Sequence, residues 1–278
     1  MHILIADSLR SARDITPGEV GMWRFLGLAT HDGSTNMAID EAVMLARAQE
    51  LVPNTIRIYR WNPASVSLGY FLKINEVVDI EECKSRGIDI VRRISGGGAV
   101  YHSQNEITYS VVIKQNDPIL PKDLVEVYKK LSQAIIDVSL KLGLQANFEP
   151  GHPGVCPNMV VGGRKISGNA QARKRGVILQ HGTMLLDCDL EVMSRVLKIP
   201  YDLIDAKVTT LKRELDIHRL PSTEITGKET QGLVNMLRKG FEGSLGIKLA
   251  NGNLIQFEEN NAKILTAKYS SKEWTYMR

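Results

Sequence analysis

Apolar positions recur along this chain at two periods, and each switch between them marks an element. Residues 55–61 alternate apolar and polar side chains, as a half-buried strand does, and Asn62-Pro63 turns the chain into a second strand over 65–70. Before them, a strand-like start at 23–28 leads to a helix capped by Ser34 or Thr35 and running to about Gln49. Ala38, Ala42 and Leu45 share one face of that helix, and Asp40 and Glu41 come early, where the helix dipole favours acids. A short helix over 79–85 ends at Gly87, and 89–93 forms a strand. A β-branched strand at 106–113 precedes a long helix whose Leu124, Val127, Leu131, Ile135, Val138 and Leu142 lie on one side and which Gly143 ends. Two more strands are expected around 159–161 and 177–186. From Asp189 onward the pattern is mainly helical, with Leu233, Leu237, Phe241 and Leu245 marking one helix.

Strands therefore come in pairs and triplets between helices. That order indicates the α+β class, with a mixed, largely antiparallel sheet flanked by helices, rather than strict βαβ winding. Residues 1–21, polar after the first few and ending in Thr16-Pro17-Gly18-Glu19, read as an N-terminal appendage. Residues 22–250 form the main domain and 251–278 a helical tail, with no large accessory domain after it.

Between the strands at 89–93 and 106–113 stands Arg92-Arg93-Ile94-Ser95-Gly96-Gly97-Gly98-Ala99-Val100-Tyr101-His102. Three glycines without Cβ atoms let the backbone approach a ligand closely, and their N–H groups can form a nest for anionic oxygens. The two arginines supply forked donors suited to phosphate or carboxylate. A tight turn between buried strands would need the glycines but not the arginines. Neither the Gly-x-x-x-x-Gly-Lys-Ser/Thr loop nor the Gly-x-Gly-x-x-Gly fingerprint is present, so a nucleotide here would bind in another way. A second glycine-rich segment, Gly162-Gly163-Arg164-Lys165-Ile166-Ser167-Gly168-Asn169-Ala170-Gln171, places Lys165 on what reads as a hairpin edge.

Composition narrows the partners. The 278-residue chain carries a formal net charge of +4, too mild for nucleic acid as the main partner but suited to an acidic protein or a phosphorylated ligand. Its three cysteines, Cys83, Cys156 and Cys188, form no CxxC pair, which argues for a reducing, cytoplasmic setting and against a disulfide framework or cysteine zinc site. His152 and Cys156 are four apart without further ligands nearby, so no metal site is assigned. No apolar run approaches a membrane span, and the first six residues are too short for a signal peptide.

The glycine loop, the Gly-Arg-Lys-Ile-Ser-Gly-Asn-Ala-Gln segment and Gln180-His181-Gly182-Thr183, in this order, resemble the lipoate–protein ligase and octanoyltransferase family. The likeness runs from about Trp23 to Glu273-Trp274. It implies a fold similar to that of biotin–protein ligases and class II aminoacyl-tRNA synthetases, with the acyl chain in an apolar tunnel. It implies attachment of lipoate or octanoate to one lysine of a lipoyl domain of a 2-oxoacid dehydrogenase or of the glycine-cleavage H protein. Lys165 would bind the acyl carbonyl or phosphate oxygens. Arg92, Arg93, Gly96, Gly97, Gly98, Ala99, Val100, Tyr101, His102, Ser167, Gly168, His181, Gly182 and Thr183 would make up the substrate- or nucleotide-binding set.

Two reactions compete within that resemblance. A ligase activates the acid with ATP and Mg2+ to an acyl-AMP, and the intact glycine loop puts this reading first. A cysteine-type octanoyltransferase takes octanoate from acyl carrier protein onto a thiol and needs neither ATP nor metal. Cys156, nine residues before Lys165 in His152-Pro153-Gly154-Val155-Cys156-Pro157, stands where such transferases hold their nucleophile. The chain departs from the ligase pattern twice: Pro157-Asn158 replaces an Asn-Asp pair, and only four residues follow Trp274. A ligase of this form would call for a separate small accessory protein. A biotin ligase would show Gly-Arg-Gly-Arg-x-Gly, which is absent, and a non-catalytic relative would have lost Lys165 or the glycines.

Overall fold

The computed structural model describes residues 21–152, 155–215 and 227–278. Of the N-terminal appendage read above as 1–21, residues 1–20 lie outside them. In chain order the first elements are β1 (Met22–His31), α1 (Gly33–Ala48), β2 (Thr55–Trp61), β3 (Ser65–Leu68), α2 (Ile74–Val77), α3 (Ile80–Ser85) and β4 (Asp89–Arg92). There follow β5 (Val100–His102), β6 (Glu106–Lys114), α4 (Leu124–Lys141), β7 (Ala146–Glu149), β8 (Asn158–Val161), β9 (Arg164–Lys174) and β10 (Val177–Leu185). The rest is α5 (Leu190–Val196), α6 (Tyr201–Lys207), α7 (Leu211–Glu214), α8 (Gly227–Leu245), β11 (Lys248–Asn251), α9 (Gln256–Ser270) and α10 (Lys272–Thr275).

Eight strands form one sheet in the order β11-β1-β2-β6-β10-β9-β8-β7. β1 runs parallel to β11 and β2, and every later pairing is antiparallel. Helices cover both faces, which is why all but the last residue of β6 are buried. Ile107, Tyr109, Val111 and Ile113 meet α4 and α8, where Leu131, Ile135, Leu237 and Phe241 close the main core. The alternate residues face α1 and α9, among them Thr108, Ser110 and Val112. The Glu106 carboxylate and the Thr108 and Ser110 hydroxyls, buried together on that face, already mark where polar chemistry collects.

A second, three-stranded sheet, β4-β3-β5, packs its own core with α2, α3, α5 and α6. Between β4 and β5 lies the glycine loop. The C-terminal segment backs it: Trp274 Nε1 donates to Arg92 O at 2.8 Å, and Arg92 Nε donates to Thr275 O at 3.0 Å.

Three sequence expectations change. Asp32, not Ser34 or Thr35, caps α1, its carboxylate accepting from the Thr35 N–H at 2.8 Å. Lys165 is not on a hairpin edge, because β9 lies inside the sheet between β8 and β10. Strands β7 and β11 carry too little alternation to be read from sequence and exist because their neighbours supply ladder partners.

Candidate active site

A cavity of about 210 Å³ opens between the two sheets. Met37, Tyr59, Trp61, Ala99, Val100 and Ala170 give it apolar walls, and Cys156, Lys165, Asn158 and Gly97 stand among its polar and backbone boundaries. This is below the roughly 300–1,000 Å³ of clefts that take drug-sized ligands, and it suits a short acyl chain.

The glycine loop passes directly over the thiol. Gly97 has φ +88, a left-handed conformation open to glycine, and a Cβ there would stand 3.1 Å from Cys156 Sγ and 3.4 Å from Arg93 Nη2. Arg93 holds the loop in this shape. Its Nη2 donates to Gly96 O at 2.8 Å and Gly98 O at 2.9 Å, its Nη1 to Ser67 O at 2.7 Å and Ser67 Oγ at 2.9 Å, and its Nε to Ser95 Oγ at 3.2 Å. Every N–H of the guanidinium is thereby used within the protein. Burial pulls the Arg93 pKa down to about 10 against the opposing influence of Cys156, leaving it cationic at neutral pH.

Lys165 reaches the same space because β9 carries a bulge. Gly168 pairs with Asn158 and Ser167 with Met159, but Lys165 pairs with Val160, so Ile166 is an extra residue. The insertion reverses the alternation and puts Lys165 on the face of Gly168. A Cβ on Gly168 would lie 2.6 Å from both Cε and Nζ of Lys165, so the lysine side chain lies across the vacant Cβ position. Burial, then the nearby Arg93 charge, push the Lys165 pKa below the ordinary lysine value, while Cys156 pulls it back. The thiol thus sits in the field of two cations, with Tyr128 OH 3.9 Å from its sulfur.

At the other end of the cavity the polar residues form a closed network. Asp40 of α1 accepts from Arg57 Nη1 at 2.9 Å, Ser110 Oγ at 2.8 Å and Tyr59 OH at 2.9 Å. Burial alone would raise its pKa, but the bond with His181, the Arg57 charge and the Ser110 bond outweigh it and hold the carboxyl below the usual range. His181 is lowered in turn, by burial, despite Asp40 beside it. His102 stacks on Trp61 with ring centroids 4.0 Å apart, and its Nδ1 lies 2.5 Å from Glu106 Oε1.

Of the residues singled out from sequence, Arg93, Gly97, Gly98, Ala99, Val100, His102, Cys156, Lys165, Gly168, His181, Gly182 and Thr183 line this cavity. Arg92 does not. Adjacent residues on an extended chain point to opposite sides, so with Arg93 facing the cavity Arg92 faces away, donating to the carbonyls of Gly69, Leu72 and Thr275. Tyr101 packs into the core of the smaller sheet for the same reason. Ser167 faces away from Gly168 on the alternation of β9, and Gly96 contributes a carbonyl to Arg93 rather than a wall. Ser67, Ser95, Asp40, Glu106 and Asn169 escaped the sequence reading. Ser95 and Asn169 stood unassigned inside the two glycine-rich segments, Asp40 read only as an early helix acid, and Ser67 and Glu106 had no signal beyond a polar place in a mostly apolar strand. Among the described residues no group of three His, Cys, Asp or Glu side chains is placed to hold a metal ion.

The family description "Lipoyl protein ligase A/B catalytic domain" matches residues 32–230. The chain belongs to this family. Octanoyltransferase LipM of Kyrpidia tusciae is 37% identical over 275 residues, spanning 92% of this chain and 99% of the relative. LipM of Geobacillus kaustophilus is 36% identical over 278 residues, with 92% and 99% covered. Among solved structures, a lipoate-protein ligase A bound with ATP matches with TM-score 0.76 and 29% identity, over 92% of this chain and 98% of that one. A lipoate protein ligase of Thermoplasma acidophilum with bound lipoic acid gives TM-score 0.74 at 28% identity, over 92% and 100%. As a family member, the protein is an enzyme of lipoyl or octanoyl transfer with the mixed α+β fold expected from its sequence. No helix among the described residues is long and apolar enough to cross a membrane.

Proposed function

We propose that the protein is a cysteine-dependent octanoyltransferase that carries the acyl group on Cys156 and delivers it to a lysine of a lipoyl domain or glycine-cleavage H protein. The observation that carries this reading is the placement of Cys156 Sγ under Gly97, in the same apolar cavity as Lys165. The more similar relatives, named octanoyltransferases at 31–37% identity, support it over the ligase reading that the intact glycine loop had put first.

The residues present do not fit a nucleoside triphosphate well. Both arginines expected to hold phosphates are engaged elsewhere, Arg93 with five protein acceptors and Arg92 on the far side of β4. ATP, magnesium and a separate accessory protein all belong to the ligase reading and enter no step here.

In the proposed reaction the Cys156 thiolate attacks the carbonyl carbon of the thioester on octanoyl-acyl carrier protein. The oxyanion that forms lies beside the Lys165 ammonium, and a fixed cation at that place is worth on the order of 10²–10³ in rate. The intermediate collapses by breaking the bond to the carrier sulfur, which leaves as a thiolate and takes up a proton. The octanoyl chain then occupies the apolar walls while its thioester stays at the mouth. The neutral amine of the acceptor lysine attacks the same carbonyl, Cys156 leaves as thiolate, the amine loses a proton, and an amide results.

The test uses octanoyl-acyl carrier protein without ATP, followed by intact mass. Wild type is expected to gain one octanoyl mass that hydroxylamine removes and that chases onto the acceptor, and Cys156→Ser is expected to lose both adduct and turnover. ATP-dependent modification of the acceptor by Cys156→Ser would restore the ligase reading.

A further inference from the structure

Two serines grip Arg93 from opposite ends of its fork, Ser67 at Nη1 and Ser95 at Nε. Each of these hydroxyls also lies against an imidazole: Ser67 Oγ is 2.6 Å from His102 Nε2, and Ser95 Oγ is 2.7 Å from His181 Nε2. A guanidinium only donates, so both serine oxygens accept from Arg93, and each has a single hydrogen left to give. Glu106 Oε1, 2.5 Å from His102 Nδ1, and Asp40 Oδ2, 3.4 Å from His181 Nδ1, are carboxylate oxygens that only accept, so the ring hydrogens lie on Nδ1. Each neutral ring then presents a bare Nε2, which takes the serine hydrogen. Carboxylate, imidazole and hydroxyl follow one another as in a serine hydrolase, yet each chain ends on a cation instead of a free nucleophile. All six side chains are buried.

What remains of the Arg93 fork is its Nη2, and it holds the carbonyls of Gly96 and Gly98. Because each peptide is trans, those two bonds also turn the N–H groups of Gly97 and Ala99 away from the guanidinium. Gly97, between the two held carbonyls, is the residue whose Cβ position meets Cys156 Sγ.

We infer that Ser67–His102–Glu106 and Ser95–His181–Asp40 are positioning chains for acyl transfer: they fix the rotation of Arg93, which pins the glycine loop over the Cys156 thiol. Arg93 is thus a clamp and not an anion ligand. The inference rests on the reading of Cys156 as the atom that carries the acyl group.

Single-turnover acylation by octanoyl-acyl carrier protein, followed by intact mass, separates an amplitude, the competent fraction, from a rate constant. Ser67→Ala and Ser95→Ala each remove one hydroxyl without adding volume. Both are expected to keep full amplitude and to acylate about tenfold more slowly, the effect of one hydrogen bond to a charged group. Arg93→Lys keeps the charge and loses the fork, and is expected to be slower than either. In spectra of 15N-histidine protein, both buried rings should show the Nδ1–H tautomer, and Ser67→Ala should shift the bare Nε2 signal of His102 alone, because that nitrogen loses its hydrogen-bond donor.

Wild-type rates in both serine variants would overturn the inference, as would a wild-type rate in Arg93→Lys or an Nε2–H signal from either ring. Loss of amplitude at an unchanged rate would reduce the chains to scaffolding and overturn it equally. Should Arg93→Lys fail to fold, the serine variants and the spectra decide. Failure of the wild-type enzyme to form any thioester is a different result, and removes Cys156 from the reaction instead.

Discussion

Gly168 is a glycine because Lys165 lies where its side chain would be. The atoms that a methyl group would strike are the far end of a flexible side chain, so the fold can yield by moving the ammonium. Gly168→Ala is therefore expected to melt within a few degrees of wild type and yet to form the Cys156 thioester about a hundredfold more slowly, as when an oxyanion donor is lost. Mass-detected acylation beside a thermal melt checks this, and a normal rate would show that the position of Lys165 is immaterial. Gly182 makes the contrast. A Cβ there would meet Tyr109 at 2.7–2.8 Å, and that ring is packed against Phe241 and hydrogen-bonded to Asn169. Here the neighbour cannot swing aside. Two glycines of one cavity thus serve different ends, one leaving room for a mobile cation and the other for a fixed ring.

At the scale of elements, strongly periodic segments were legible in the sequence and irregular ones were not. β2 was read to the residue, and α4 to within one, because seven to eighteen residues of consistent period leave little choice of register. The bulge in β9 was not legible: Ile166 looks like any strand residue, and only its unpaired position between Lys165 and Ser167 gives it away. The opposite outcomes of Arg92 and Arg93 could have been read, since period-two alternation allows only one of two neighbours to face the cavity. Longer-range ties have no sequence signature at all. Arg24 on β1 and Glu258 on α9 form a buried bidentate pair, at 2.5 and 2.8 Å, across more than two hundred residues. Glu258→Ala leaves the Arg24 guanidinium buried without its carboxylate and is expected to cost about 3–5 kcal/mol. Replacing both by leucine should recover most of that loss, and urea unfolding of the single and double variants measures it. Equal losses in both would mean that packing of α9, not charge, holds the helix.

For the whole molecule, the candidate site is the seam between two sheets that the sequence presents only as separate motifs. The glycine loop belongs to the smaller sheet, Lys165 and His181 to the larger, and Asp40 to a helix far from all of them in sequence. The motifs were recognisable together and in their order along the chain, because glycines and paired charges are unusual neighbours for apolar strands. Asp40, Ser67 and Glu106 were not, because a lone polar residue becomes informative only when the fold shows what surrounds it.

The stacking of Trp61 on His102 also gives the enzyme an optical reporter. Of its three tryptophans, Trp61 lines the cavity, whereas Trp23 is in the core beneath the sheet and Trp274 backs β4. An acyl chain entering the cavity would displace water from around the indole of Trp61 and change its emission, with no dye attached. Stopped-flow fluorescence during octanoylation should show a change that keeps time with the mass of the thioester. Trp61→Phe should abolish the signal, while Trp23→Phe and Trp274→Phe should preserve it. A signal that survived in Trp61→Phe would place the acyl chain elsewhere. The same emission, read at equilibrium, would rank free fatty acids by length and so measure how far the pocket reaches.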